Sequence, residues 1–297
     1  MFFPVLDCKG RELVLDRARI CGIVNVTADS FSDGGRYLDP QQAIEHALRL
    51  VEEGADMLDI GAESTRPGAS AIGVEEQIAR VVPVIEAIAA RTQVPISIDT
   101  SDAGVMRAAV GAGVGMINDV CALRREGALD AAAELGVVVC LMHMQGEPRS
   151  MQDAPQYDDV VGEVHRFLTD RLFACQLAGI DKKRIVVDPG FGFGKTLEHN
   201  LALLRDLARF AEIAPVLAGL SRKSMIGTLA GRTRPDERVA GSAAAALIAV
   251  QRGAMIVRVH DVAATRDALA VWQALTAHDA ASPRRSSSPP RSPWDEE

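Results

Sequence analysis

Apolar positions along this chain alternate between two rhythms. Short β-rich runs occur at 20–26, 57–60, 95–98, 116–120, 137–142, 184–187, 215–220 and 255–259. Between them, apolar residues recur at helical spacing. Ile44, Ala47, Leu48 and Val51 sit at i, i+3, i+4 and i+7 behind an expected N-cap at Asp39, with Pro40 at the first helical position and Gly54 as the stop. Ile78, Val81, Val82, Ile85 and Ile88 repeat the pattern, as do Val161, Val164, Leu168 and Leu172, and later Leu269, Trp272 and Leu275. Eight strands alternating with helices predict an α/β fold, a single closed (β/α)8 TIM barrel. An open doubly wound sheet competes, but eight regular units without a nucleotide fingerprint favour closure. Ahead of the barrel, 3–16 reads as a short N-terminal hairpin with its turn at Lys9-Gly10.

The connections give the barrel a direction. Turns from helix into strand are short, whereas the loops leaving the first two strands, 27–38 and 63–73, are long. Loops that leave strands form the active-site face of such barrels. Polar residues fall on that face at one strand end after another: Asn25, Asp59, Asp99, Asn118, His143, Asp188, Lys223, Arg258 and His260 among them. A single polar residue there is ordinarily a helix cap, which is the reading for Asp261 and Ser101. Convergence from eight strands asks for a shared ligand. The densest stretch is Asp188-Pro189-Gly190-Phe191-Gly192-Phe193-Gly194-Lys195. It is not a P-loop, because Pro189 stands where the first glycine belongs, and the dinucleotide fingerprint fails on its third glycine.

Composition narrows the class. With 48% hydrophobic and 24% charged residues, the 297-residue chain has the make-up of a globular protein with a sizeable core. No uninterrupted apolar run reaches membrane-spanning length, and the start is too short for a secretion signal, so no membrane partner is expected. A net charge of -8 argues against nucleic acid, though a local cationic cleft can still take a small anion. The five cysteines form no CxxC pair, which suits free buried thiols and a cytoplasmic setting. Residues 1–280 are expected to form the barrel domain and 281–297, rich in Pro, Ser and Arg, a disordered tail.

Five blocks together resemble the dihydropteroate synthase family. They are 22–34 (GIVNVTADSFSDG), 63–68 (ESTRPG), 188–195, 221–227 (SRKSMIG) and 258–261 (RVHD), with 141–146 (LMHMQG) in keeping. They stand in family order and cover residues from about 20 to 275. Two departures are Ala28 where the family usually has proline and Ala62 where it has glycine. Neither removes a functional side chain, and Ala28 should loosen the first loop. The resemblance implies condensation of a dihydropterin pyrophosphate with 4-aminobenzoate, releasing pyrophosphate with Mg2+, by a homodimer.

The residues suit that chemistry. A pterin edge offers a ring N–H beside an amine, a fork that one carboxylate accepts, and Asp188 is the candidate, with Asn118 on the other ring edge. Asp99 would contact the ring or offset positive charge developing on its methylene. Arg258 and His260, one residue apart on a strand, would point the same way towards the leaving group. Asn25 would offer an oxygen to Mg2+. Thr65, Arg66, Pro67, Phe193, Lys223 and Ser224 form the pocket implied for 4-aminobenzoate, while Asp33 and Phe31 would close over the reaction. Catalytic roles fall to Asp99, Lys223, Asp33 and Arg66. A pterin-dependent methyltransferase would share Asp188 and Asn118 without needing the Arg258–His260 pair. A silent paralogue that only binds pterin is the other alternative.

Overall fold

A computed structural model describes residues 3–26, 40–62, 72–146, 151 and 154–281. The hairpin pairs β1 (Val5–Cys8) with β2 (Arg11–Val14) in antiparallel register. Lys9 and Gly10 both have positive φ, 60° and 82°, as a two-residue turn matching the twist of a hairpin requires. Eight parallel strands follow: β3 (Arg19–Asn25), β4 (Met57–Gly61), β5 (Ile96–Asp99), β6 (Met116–Asp119), β7 (Val138–Met142), β8 (Ile185–Asp188), β9 (Val216–Ala218) and β10 (Ala254–Val259). They close in chain order, with β10 bonded to β3. The expected barrel and hairpin are both present.

Around the strands lie α1 (Pro40–Glu52), α2 (Val74–Ala89), α3 (Ala103–Gly111), α4 (Ala128–Leu135), α5 (Val160–Leu177), α6 (Leu197–Arg205), α7 (Ser224–Ala230), α8 (Val239–Gln251) and α9 (Val262–Ala281). Helix α1 begins at Pro40, as its ring and missing N–H favour; the expected cap at Asp39 lies outside the described residues, as does 282–297. Parallel strands covered by helices are buried on both faces, so they read as unbroken apolar runs. Strand β7, VVCLM, is buried at all five positions. Outward residues such as Ile60, Ile98 and Ile117 meet the helices in one core. Inward residues such as Cys21, Met57, Met116 and Val186 form a second core inside the barrel.

The hairpin belongs to that second core. Leu6, Cys8, Leu13 and Leu15 pack on the inward strand residues and close the barrel's N-terminal end. Gly115, at the entry to β6, lies so close that a Cβ there would sit 2.2 Å from the Cys8 carbonyl oxygen. The opposite end is therefore the mouth.

Three expectations change. The connection from β7 to α5 spans 143–159 and is a third long loop. Ser101 caps nothing: α3 is capped by Asp102, which accepts from Gly104 and Val105, while Ser101 donates to Asp119. Leu269 of α9 is buried, but Leu275 is 53% exposed.

Candidate active site

Strand register brings the chemistry together. Inward residues alternate along each strand, and at the mouth these are Asp59 of β4, Asp99 of β5, Asn118 of β6, Asp188 of β8 and Arg258 of β10. Asp99 and Asn118 are register partners, as are Met142 and Asp188. Arg258 reaches across the barrel: its Nε lies 2.5 Å from Asp59 Oδ2 and its Nη2 2.9 Å from Asp99 Oδ2. The Asn118 amide donates to the same Asp59 oxygen at 3.1 Å, which leaves its carbonyl side for a ligand. Burial works to lower the Arg258 pKa, but Asp59 and Asp99 outweigh it and the guanidinium stays charged. Asp59 Oδ1 and Ser97 Oγ are buried without a protein partner among the described residues, and the two residues are register partners. Buried polar atoms of this kind call for explanation, and here they lie inside the barrel, one inward layer below Asp99.

Opposite stands Asp188, 5% exposed. Its Oδ1 accepts from Gly190 N–H at 2.7 Å, and its carbonyl accepts from His143 N–H at 3.0 Å. Burial pushes its pKa up, while Lys223, the Gly190 N–H, Lys195 and Arg258 pull it back. The Lys223 ammonium donates to the Phe191 carbonyl and sits 4.6 Å from the centroid of the Phe193 ring. Burial brings its pKa down to about 8, against the pull of Asp188. Gly219, just past β9, leaves the space these groups share: a Cβ there would lie 3.9 Å from Asp188 Oδ2 and 4.0 Å from Lys223 Nζ. A carboxylate, an amide and two cations thus bound a slot with an aromatic wall. That donor set suits a flat heteroaromatic with N–H donors on its edge.

Residues 21–260 match the family of pterin binding enzymes. The dihydropteroate synthase of Escherichia coli strain K12 is 50% identical over 270 residues, covering 91% of this chain and 95% of that protein. The chain belongs to the dihydropteroate synthase family. Solved members of the family agree with it in fold. The Xanthomonas albilineans dihydropteroate synthase with 4-aminobenzoic acid is 63% identical, with a TM-score of 0.88, over 93% of this chain and 99% of that one. The same enzyme in complex with 7,8-dihydropteroate gives 60% identity and a TM-score of 0.85, over 92% and 99%.

Among the residues that the dihydropteroate synthase pattern singles out, Asp99, Asn118, Asp188, Phe193, Lys223 and Arg258 converge on the slot. His260 meets Ser221, in the turn after the neighbouring strand: its Nδ1 lies 3.0 Å from Ser221 Oγ, and its N–H donates to the same hydroxyl. Arg258 is drawn across the barrel by two carboxylates. Ser224 is exposed at the start of α7, and Asn25 is half-buried at the end of β3. Arg222 grips the Asp261 carboxylate through Nε at 2.9 Å and Nη2 at 2.5 Å, while the Asp261 carbonyl accepts from Thr265 N–H at the start of α9. Asp33, Phe31, Thr65, Arg66, Pro67 and Ala28 lie outside the described residues. The five cysteines are free and buried.

Sequence reasoning gave Asp59 no role, although its place two residues before the end of β4 marks it as inward. It gave Lys195 none either. No local signal places Lys195 against His143, 52 residues away.

Proposed function

We infer that this chain is a dihydropteroate synthase, joining (7,8-dihydropterin-6-yl)methyl diphosphate to 4-aminobenzoate to give 7,8-dihydropteroate and diphosphate. The observation that carries the reading is the slot between Asp188, Asn118, Lys223 and Arg258, on a barrel whose family relatives are named for this reaction. Asp188 accepts the paired N–H donors of the pterin edge. Asn118, with one amide N–H committed to Asp59, presents its oxygen to the other edge. Departure of diphosphate spreads positive charge over the pterin and its methylene. Asp99 offsets that charge, and the arylamine attacks. No covalent enzyme intermediate is needed, so the protein's contribution is positioning and charge stabilisation in a water-poor slot.

Lys223 and Phe193 serve the second substrate, the ammonium taking its carboxylate and the ring its face, with Ser224, Thr65, Arg66 and Pro67 completing that pocket and Asp33 closing over it. Arg258 and His260, at the end of β10, serve the diphosphate. A magnesium ion fits as a guest of that diphosphate: Asn25 offers one amide oxygen, and Mg2+ commonly takes few protein ligands alongside phosphate oxygens. When bound, it would neutralise charge on the leaving group. A homodimer is supported by apolar residues left open on α8 and α9, Ile248, Val271 and Leu275, at 43%, 75% and 53% exposure. Ala243 and Ala246 of α8 are buried within the chain. No described helix is long and apolar enough to cross a membrane, and free buried thiols suit a cytoplasmic site.

Purified protein should release diphosphate only when both substrates and Mg2+ are present. In the same assay, Asp188→Asn should weaken pterin binding by about 2–5 kcal/mol, the cost of leaving a buried charge partner unmatched. No release from the intact protein would overturn the reading.

A further inference from the structure

Lys195 takes no part in the reaction just described, yet it is only 3% exposed. Its Nζ lies 2.9 Å from His143 Nδ1, 3.0 Å from the Phe193 carbonyl oxygen and 3.3 Å from the His143 carbonyl oxygen. Burial pulls the Lys195 pKa well below its usual value, against the pull of Asp188; in the protonated form the side chain has three N–H donors, and these three acceptors account for all of them. With Nδ1 accepting, the His143 proton sits on Nε2. Burial and the nearby Lys195 charge keep that imidazole neutral. A buried ammonium carries a desolvation cost that an apolar side chain of similar length would avoid. Space-filling therefore does not account for a lysine here.

What the lysine joins is specific. On one side is the chain leaving β7, and on the other the glycine-rich loop after β8. The two backbones touch: a Cβ on Gly190 would lie 1.9 Å from the His143 carbonyl oxygen, and one on Gly194 2.5 Å from that of Gln145. Tyr157 fastens the same loop from above, its hydroxyl donating to the Gly194 carbonyl at 2.9 Å. Successive carbonyls, Phe193 and Gly194, are thus each held by a side chain from elsewhere. The Phe193 ring then has a fixed base from which to face the Lys223 ammonium.

We propose that Lys195 is a positioning residue for the second substrate: by clamping the Phe193 and His143 carbonyls it sets the Phe193 ring beneath the Lys223 ammonium, and with it the 4-aminobenzoate site. This inference rests on the synthase reading above. The pterin side has anchors of its own, the β8 ladder that pairs Asp188 with Met142 and the Gly190 N–H on its carboxylate; Lys195 reaches Asp188 by charge alone and should therefore touch pterin affinity less than the aminobenzoate site.

The test is Lys195→Met, assayed beside the unaltered protein for diphosphate release and for pterin affinity by fluorescence titration. The variant should lose on the order of 10- to 100-fold in kcat/KM for 4-aminobenzoate, the penalty of a misplaced binding wall. Most of that loss should lie in KM, with pterin affinity held within about threefold. A lower melting temperature with unchanged KM for 4-aminobenzoate would mean a merely structural lysine and would overturn the inference. So would equal losses for both substrates. Should Lys195→Met fail to fold, Tyr157→Phe frees the neighbouring carbonyl with the lysine in place, and it must raise KM for 4-aminobenzoate in the same direction; an unchanged value overturns the inference. Inactivity of the unaltered protein would instead sink the synthase reading, so the two failures are distinguishable.

Discussion

Two cations share the slot, but their protons are held very differently. Arg258 is locked in the charged state by Asp59 and Asp99. Lys223 is not, since burial brings its pKa from 10.5 to about 8. If its ammonium holds the 4-aminobenzoate carboxylate, that attraction is complete below about 8 and fades as pH rises through it. With pterin saturating, kcat/KM for 4-aminobenzoate should fall about tenfold per pH unit well above that value. Lys223→Arg should abolish this alkaline limb whatever it does to the absolute rate. A limb that persists in Lys223→Arg would assign the titration elsewhere. The same shift bears on folding. Between about 8 and 10.5 the unfolded chain binds the proton that the folded one has lost, so this group makes stability rise with pH across that window; below it, the cost of burying the charge is felt in full.

At the level of elements, strand ends supply rigidity and one loop supplies shape. The loop after β8 is built on left-handed glycines, Gly190, Gly192 and Gly194, with φ of 71°, 77° and 63°. Gly190→Ala meets both a disfavoured backbone conformation and the His143 carbonyl. It should cost about 2–4 kcal/mol of stability, combining backbone strain with overpacking, and should weaken pterin binding by moving Asp188. Denaturant unfolding and pterin titration would check both effects; loss of neither would mean that the loop yields easily. These glycines were visible in the sequence, and spacing set aside their first suggestion, a phosphate cradle. Strand ends were legible because each polar residue closes an apolar run of fixed period. Asp188, Asn118 and Asp99 could be placed from that alone. The direction in which Arg258 turns could not, because it depends on carboxylates 159 and 199 residues away in the chain. Lys195 was hidden for the same reason, its acceptors lying on another strand's exit.

The whole molecule has one sealed end. The hairpin packs Leu6, Cys8, Leu13 and Leu15 against the inward residues of the barrel, and Gly115 permits it to seat. Gly115→Ala should lift the hairpin and destabilise the fold by about 1–3 kcal/mol, as overpacking does. Cys8 would report the change. Its thiol is buried, and burial, with Asp7 beside it, raises its pKa to about 12, so it should be inert to thiol reagents in the native protein. Faster labelling of Cys8 in Gly115→Ala, with the active-site chemistry intact, is the expected result. An unchanged labelling rate would mean that the hairpin is held by something other than this contact. A barrel stoppered in this way is a blind well, and traffic in a blind well queues. Asp188 and Asn118 lie at its buried depth, whereas Ser224 lies at its exposed rim. On the synthase reading, a ligand seated at the rim would bar the way to the depth, so the plug at the far end should set the order at the mouth, with pterin expected to bind before the aminobenzoate.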